Sequence, residues 1–258
     1  MSRGQYVVLL HAFPCDGRMW SAQADALSVA GYDVIVPDLP GFGASDLPDV
    51  EPNLEVVADT VLRELEVLGV NRAVLGGLSL GGYVAMAMLR KRPEIFTALM
   101  LCDTKASADS VEGRGNRERL AASVLSDPEN CARILRQSVL PGLLGATTKA
   151  SRPEIEAVVG GWLDEARPET VAWYQRAMAS RPDSLGTLSG LKVPGLVLWG
   201  DEDALSSEVE HRAMATALTR SETACIPTAG HLSAVELPDE VSEAMVDFVS
   251  AVCPPAHS

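Results

Sequence analysis

Ser79 lies in the run Ala73-Val74-Leu75-Gly76-Gly77-Leu78-Ser79-Leu80-Gly81-Gly82, with glycine two positions before it and two after. A short apolar run leads in, and a helix-like segment from Tyr83 to Arg90 leads out. Gly-x-Ser-x-Gly between strand and helix is the pattern of a nucleophile elbow. Such a turn leaves almost no room for side chains at the flanking positions and holds the serine in a strained conformation with its hydroxyl exposed. That hydroxyl becomes a nucleophile only if a base takes its proton and a third group orients the base.

The chain has four histidines, so the search for the base is short. His231, in Thr228-Ala-Gly-His-Leu-Ser233, follows the last strand-like run and precedes the last helix-like one. Catalytic groups gather on such loops at the carboxyl edge of a parallel sheet, and His231 is read as the base. His11 ends the first apolar run and is read as a brace for its loop. His211, in the polar helical segment 206–218, is read as a solvated surface residue, and His257 as part of a disordered tail, 253–258. The orienting acid should lie between serine and histidine in the chain. Asp203 in Gly200-Asp-Glu-Asp-Ala204 ranks first, because Gly-x-x-Asp lets the chain turn over a strand end before presenting its carboxylate. Asp103, ending Leu101-Cys-Asp-Thr104, ranks second, and Asp201 third. Attack on a carbonyl also needs donors for the oxyanion. The Leu80 N–H comes with the elbow, and the bend His11-Ala12-Phe13-Pro14 offers the Phe13 N–H, since Pro14 has none.

The elements that must hold these groups are legible as alternation. Tyr6–Leu10, Val34–Val36, Ala73–Leu75, Ala98–Leu101, Gly195–Trp199 and Thr223–Ile226 read as buried parallel strands. Segments 19–30, 54–68, 80–92, 206–218 and 239–252 carry three- and four-residue apolar spacing and read as helices. The class is therefore α/β with a mainly parallel sheet. The alternation stops between 105 and 190, where Arg117–Leu125, Glu129–Val139, Glu154–Glu165 and Glu169–Arg181 are helical and turn signals separate them. The expected organisation is a core of 1–104 and 191–258 with an all-helical insertion, 105–190.

At 258 residues, 47% hydrophobic and 22% charged, the chain can bury a full core, built mainly from aliphatic residues because only 5% are aromatic. A net charge of −14 argues against nucleic acid or an anionic membrane as a partner. The five cysteines lack metal-site or disulfide-framework spacing; Cys102 and Cys225 are expected to be small buried hydrophobes, and no metal or cofactor is expected. The apolar run before His11 is too short for a signal peptide and no run approaches a membrane span, so a cytoplasmic location is expected.

Taken together, Leu9-Leu-His-Ala-Phe-Pro14, Asp38-Leu-Pro-Gly-Phe-Gly-Ala-Ser45, Gly77-Leu-Ser-Leu-Gly-Gly82, Gly200-Asp-Glu-Asp203 and Gly230-His231 resemble the α/β-hydrolase superfamily, in its order and over nearly the whole chain. Within it, the chain is most similar to the cofactor-free esterase, 3-oxoadipate enol-lactonase and non-haem haloperoxidase-like group. The resemblance implies Ser79 as nucleophile, Asp203 as acid, His231 as base, Phe13 and Leu80 as oxyanion donors, and 105–190 as a lid. Two departures stand out. Only about five residues precede the first strand, where many members have a β-hairpin, so a sheet of about six strands is expected; the usual His-Gly is His11-Ala12.

Serine at position 79 excludes the haloalkane dehalogenases and epoxide hydrolases of the superfamily, which use an elbow aspartate. The implied activity is hydrolysis of a small carboxylic ester or lactone through an acyl-serine. Alternatives are a thioesterase or C–C bond hydrolase with the same triad, perhydrolase side activity, or a non-catalytic binding homologue. Trp162, Trp173 and Tyr174 are expected to line an apolar acyl pocket, and Cys15 lies close enough in sequence to touch it. A substrate of the enol-lactonase kind would carry a carboxylate and require an arginine from the lid. The expected partner is a small acyl molecule.

Overall fold

The computed structural model describes residues 5–254; His257 and the rest of the tail beyond Pro254 lie outside the described residues. Six strands, β1 (Tyr6–Leu10), β2 (Asp33–Ile35), β3 (Ala73–Leu78), β4 (Phe96–Cys102), β5 (Gly195–Gly200) and β6 (Ser221–Ile226), form one sheet in the order β2-β1-β3-β4-β5-β6. Every pair is parallel. Parallel neighbours need crossovers, which put helices on both faces and explain why β3 is buried throughout and β4 nearly so. The chain runs outward from β1 to β2, then returns to the other side of β1 as β3. That reversal is a topological switch point, where a crevice opens outside the carboxyl ends of the strands. The loops after β1 and β3, which carry Phe13 and Ser79, flank it.

The helices of the core are α1 (Ser21–Val29), α2 (Leu54–Val67) and α3 (Leu80–Lys91). Between β4 and β5 come α4 (Val111–Ser126), α5 (Cys131–Ser138), α6 (Leu140–Leu143), α7 (Ala146–Ser151), α8 (Pro153–Glu165), α9 (Pro168–Ala179) and α10 (Leu185–Gly190), with no strand among the described residues. After β5 follow α11 (Glu208–Ala217), α12 (Ser233–Glu236) and α13 (Pro238–Val252). α1 packs on α13 and α2 on α3, while α4 lies along α9.

Local chemistry sets the starts. Asn53 caps α2 by accepting the Glu55 N–H at 2.9 Å, and Ser110 caps α4 through the Gly113 N–H at 3.0 Å. That cap starts α4 six residues before the expected Arg117. Ser207 and Glu210 form a capping box on α11, and prolines open α8, α9 and α13. The short helices α6, α7 and α10 carry too few turns to reveal a period in sequence. Cys102 is buried as expected, but Cys225 is exposed: it lies on β6, whose position at the sheet edge leaves a flank to solvent. No helix among the described residues is long and apolar enough to cross a membrane.

Candidate active site

Ser79 occupies the sharp step from β3 into α3 with φ 54° and ψ −111°, a region costly for any side-chain-bearing residue. Two glycines make that step sterically feasible. A Cβ on Gly77 would lie 2.3 Å from the Gly81 carbonyl carbon, and one on Gly81 would lie 2.0 Å from the Leu10 carbonyl oxygen. The strained backbone is tied on both sides: the Ser79 N–H donates to Cys102 O at 3.0 Å, and Thr104 Oγ1 donates to Ser79 O at 2.8 Å.

Ser79 Oγ is 2.8 Å from His231 Nε2. The other ring nitrogen, Nδ1, is 2.9 Å from Asp203 Oδ2 and 3.0 Å from Oδ1. Both side chains are nearly sealed from solvent, at 5% exposure for His231 and 1% for Asp203. Burial opposes a charge on Asp203. The His231 ring, the Ser206 hydroxyl and the Leu205 N–H outweigh it and hold the carboxyl down at about 2.

The three candidate acids separate cleanly. Asp203 reaches the imidazole. Asp103 instead accepts the Gly200 N–H at 2.8 Å and the Ser233 hydroxyl. Burial first, and then the charge of Asp203, push its carboxyl well above the usual range. Asp201 accepts the Thr228 N–H at 2.6 Å and braces the turn that leads to His231.

Leu80 opens α3, so its N–H has no acceptor one turn back. Phe13 lines the same cavity as Ser79 and His231. His11 is a brace: its Nε2 accepts the Leu39 N–H at 2.9 Å, and its Nδ1–H donates to Ala12 O at 2.9 Å. Burial lowers its pKa, in keeping with a neutral ring that ties the β1 loop to the segment starting at Leu39.

Hydrogen bonds also join the histidine loop to the inserted helices, through a residue that sequence reasoning did not single out. Buried Glu236 accepts the Gly230 N–H on Oε1 and the Gly145 N–H on Oε2, both at 2.9 Å. The Leu232 N–H donates to Leu143 O at 3.0 Å, and Glu202 accepts the Thr147 N–H at 2.7 Å. An acid five places after the histidine in an apolar stretch was the available signal.

A cavity of about 630 Å³ is lined by Ser79, Phe13, Tyr83 and His231, with residues of α4 and Ile134, Leu143 and Met178 forming much of its wall. Its charged lining is Lys105, Arg117 and Arg119 against the single acid Asp109. Asp109 is already paired with Arg181 at 2.8 Å and with Arg117; burial opposes its charge, but those two guanidiniums hold its carboxyl at about 2.

The expected aromatic lining is corrected. Trp162, Trp173 and Tyr174 do not line this cavity. Trp173 Nε1–H donates to Val50 O at 2.9 Å, Tyr174 Oη donates to Pro40 O at 2.8 Å, and Trp162 packs against the core. α9 turns its aromatic flank onto the loop after β2, and Gln175 and Met178 face the cavity instead. Cys15 is buried and does not line it either. His211 is corrected as well: it is fully buried, stacked on Trp199, and 2.9 Å from Ser206 Oγ. Among the described residues, no group of three or more His, Cys, Asp or Glu side chains is arranged to hold a metal ion.

Residues 7–244 match the model of the alpha/beta hydrolase family. A thermophilic esterase from Thermogutta terrifontis, solved with malate bound, superposes with a TM-score of 0.91 at 39% identity, covering 96% of this chain and 90% of that one. The enol-lactonase from Burkholderia xenovorans LB400 superposes with a TM-score of 0.87 at 26% identity, covering 96% and 92%. The dihydrolipoyllysine-residue acetyltransferase component of the acetoin cleaving system from Pseudomonas putida is 27% identical over 95% of this chain, which spans 64% of that protein's length.

Proposed function

The chain belongs to the alpha/beta hydrolase family, and from that premise we propose that it is a serine hydrolase that cleaves a small carboxylic ester or lactone through an acyl-Ser79 intermediate. The observation that carries this reading is the unbroken contact from Ser79 Oγ through His231 to Asp203, at 2.8 Å and 2.9 Å, on the floor of a cavity. His231 Nε2 takes the Ser79 proton as Oγ attacks the carbonyl carbon, and Asp203 stabilises the resulting imidazolium. The negative oxygen of the tetrahedral intermediate meets the N–H groups of Phe13 and Leu80. Collapse breaks the bond to the alkoxide, which leaves with the proton from His231. Water, deprotonated by the same nitrogen, then releases the acid and restores Ser79.

Residues 105–190 act as the lid in this reading, fastened to the core beside His231 by Gly145, Thr147 and Leu143. The lining supports a substrate that brings negative charge or several acceptors: Lys105, Arg117 and Arg119 face the single acid Asp109, whose charge Arg117 and Arg181 already share, inside a protein of net charge −14. The direct test is labelling with a fluorophosphonate followed by peptide mapping. Label on Ser79, and loss of short-ester turnover in Ser79→Ala, are the expected results. Undiminished turnover in Ser79→Ala would overturn the proposal.

A further inference from the structure

Hydrogen bonding does not stop at Asp203. Ser206 Oγ lies 2.5 Å from Asp203 Oδ2, and His211 Nε2 lies 2.9 Å from Ser206 Oγ. A hydroxyl has one hydrogen to give. If it pointed at His211, two oxygen lone pairs would face each other at the 2.5 Å separation from Asp203. The hydrogen therefore goes to the carboxylate, and His211 Nε2 must be the N–H that donates to Ser206. The tautomer follows, leaving Nδ1 without a hydrogen. Nδ1 is buried and has no hydrogen-bond partner among the described residues. The ring is fixed by stacking on Trp199 of β5, with centroids 5.0 Å apart and planes 24° apart.

A solvated histidine would keep both nitrogens in water. This one gives up a bond at Nδ1, a destabilising arrangement, while aiming Nε2 at the hydroxyl that holds the acid. We propose that His211 is a positioning residue for the reaction, acting through the Ser206 hydroxyl to fix the orientation and charge distribution of Asp203 and so of His231. Donation into Ser206 polarises its O–H and strengthens the bond that the hydroxyl makes to the carboxylate. Burial lowers the pKa of His211 against the pull of Asp203, Glu210 and Glu208, while the His231 ring nearby adds to the lowering. A neutral donor thus stands behind the acid. The inference rests on the acyl-Ser79 reading for its catalytic consequence and on hydrogen-bond geometry for the rest.

Four variants test it: His211→Phe keeps the stack on Trp199 and loses the donor, His211→Gln keeps an amide N–H near Nε2, and Ser206→Ala and the Ser206→Ala/His211→Phe double variant break the link. The readouts are kcat and KM on a short acyl ester, the acid limb of kcat/KM, and the downfield His231 Nδ1–H proton resonance followed against pH. In His211→Phe, kcat is expected to fall about five-fold with KM unchanged. Less donation to Asp203 leaves more charge facing the imidazolium, so the acid limb and the resonance both move to higher pH. His211→Gln restores all three, and His211→Phe adds nothing once Ser206 is Ala. A drop in Tm alone, or additive losses in the double variant, overturns the proposal. Should His211→Phe not fold, His211→Asn, whose amide reaches only the Nδ1 side, must reproduce its expected behaviour; wild-type values in that variant equally overturn it. The resonance is read without substrate, so an enzyme that turns over no ester sinks the acyl-Ser79 reading while His211 is still decided.

Discussion

Asp103 and Asp203 leave the ends of neighbouring strands and hold the same loop two residues apart: Asp203 accepts from the His231 ring at 2.9 Å, and Asp103 accepts from the Ser233 hydroxyl. Asp103 also accepts the Gly200 N–H at 2.8 Å, so it ties the ends of β4 and β5 together beneath the site. Two buried carboxyls this close favour unequal ionisation, one held charged by donors and the other pushed towards its neutral form. Their contacts therefore divide: Asp203 holds the His231 ring, and Asp103 braces the loop that carries it.

Replacing Asp203 with Asn leaves the shape of the turn but presents an amide where the imidazole N–H needs an acceptor, favouring the wrong tautomer. If the proposed triad operates as serine triads do, kcat should fall by about 10⁴-fold while KM changes little. Steady-state kinetics on a short ester measure both. An Asp203→Asn enzyme within ten-fold of wild type would show that the acid is elsewhere.

Asp103→Asn should behave in the opposite way. The folded carboxyl has a raised pKa, so its protonated form is favoured in the fold and its contribution to stability is fully present below the unfolded value of about 3.9. As pH rises from there, the unfolded carboxyl ionises freely while burial and the Asp203 charge oppose ionisation in the fold, and stability is lost until the folded carboxyl itself ionises. Asparagine removes this loss and keeps an oxygen for Gly200 and an amide for Ser233. Melting curves at about pH 4 and about pH 8 should show Tm of Asp103→Asn matching wild type at the lower pH and exceeding it at the higher. A deficit that grows with pH would mean that Asp103 is held ionised.

Glu236 gives a third prediction, because one carboxylate holds the Gly230 N–H beside His231 and the Gly145 N–H of the inserted segment, each at 2.9 Å. Glu236→Ala strands two buried donors, at about 1–3 kcal/mol each. A single-step fall in Tm is expected, together with a lower kcat as the His231 loop loses its register. Hydrogen exchange should show both loops opening together, and protection lost at only one of them would contradict the shared clamp.

The parts of the site that could be read in sequence are those where backbone contact dictates residue type. Gly77 and Gly81 are required because a Cβ at either would strike backbone, which is why the elbow spacing was informative. His231 and Asp203 followed from the scarcity of histidine and from chain order. His211 was hidden because its helix presents Glu208 and Arg212 to solvent, and its inward stripe of His211, Met214 and Leu218 is only three residues long. The partners of Trp173 and Tyr174 were equally hidden, since both bond carbonyls in the distant loop of Pro40 and Val50. Cys225 looked like a core residue because an apolar run does not disclose that its strand ends the sheet.

The cavity wall yields the prediction that bears most on substrate. Lys105, Arg117 and Arg119 line it, and Asp109 already occupies Arg117 and Arg181. Lys105 lies 3.8 Å from Asp109 and 3.7 Å from Glu210, whereas Arg119 has no ion-pair partner among the described residues and contacts the Asn116 side chain. It is therefore the cation most available to a ligand. A mono-ester of a short dicarboxylic acid, with its second carboxylate free, should have a higher kcat/KM than the corresponding diester. Arg119→Ala should raise KM for the mono-ester by about five- to thirty-fold, the equivalent of about 1–2 kcal/mol for a charge-assisted bond, and leave the diester nearly unchanged. Added salt should narrow the gap between the two esters in wild type, since part of the attraction is screened. Equal loss on both esters would make Arg119 a structural residue of α4, and a preference for the diester would remove the case for an anionic substrate.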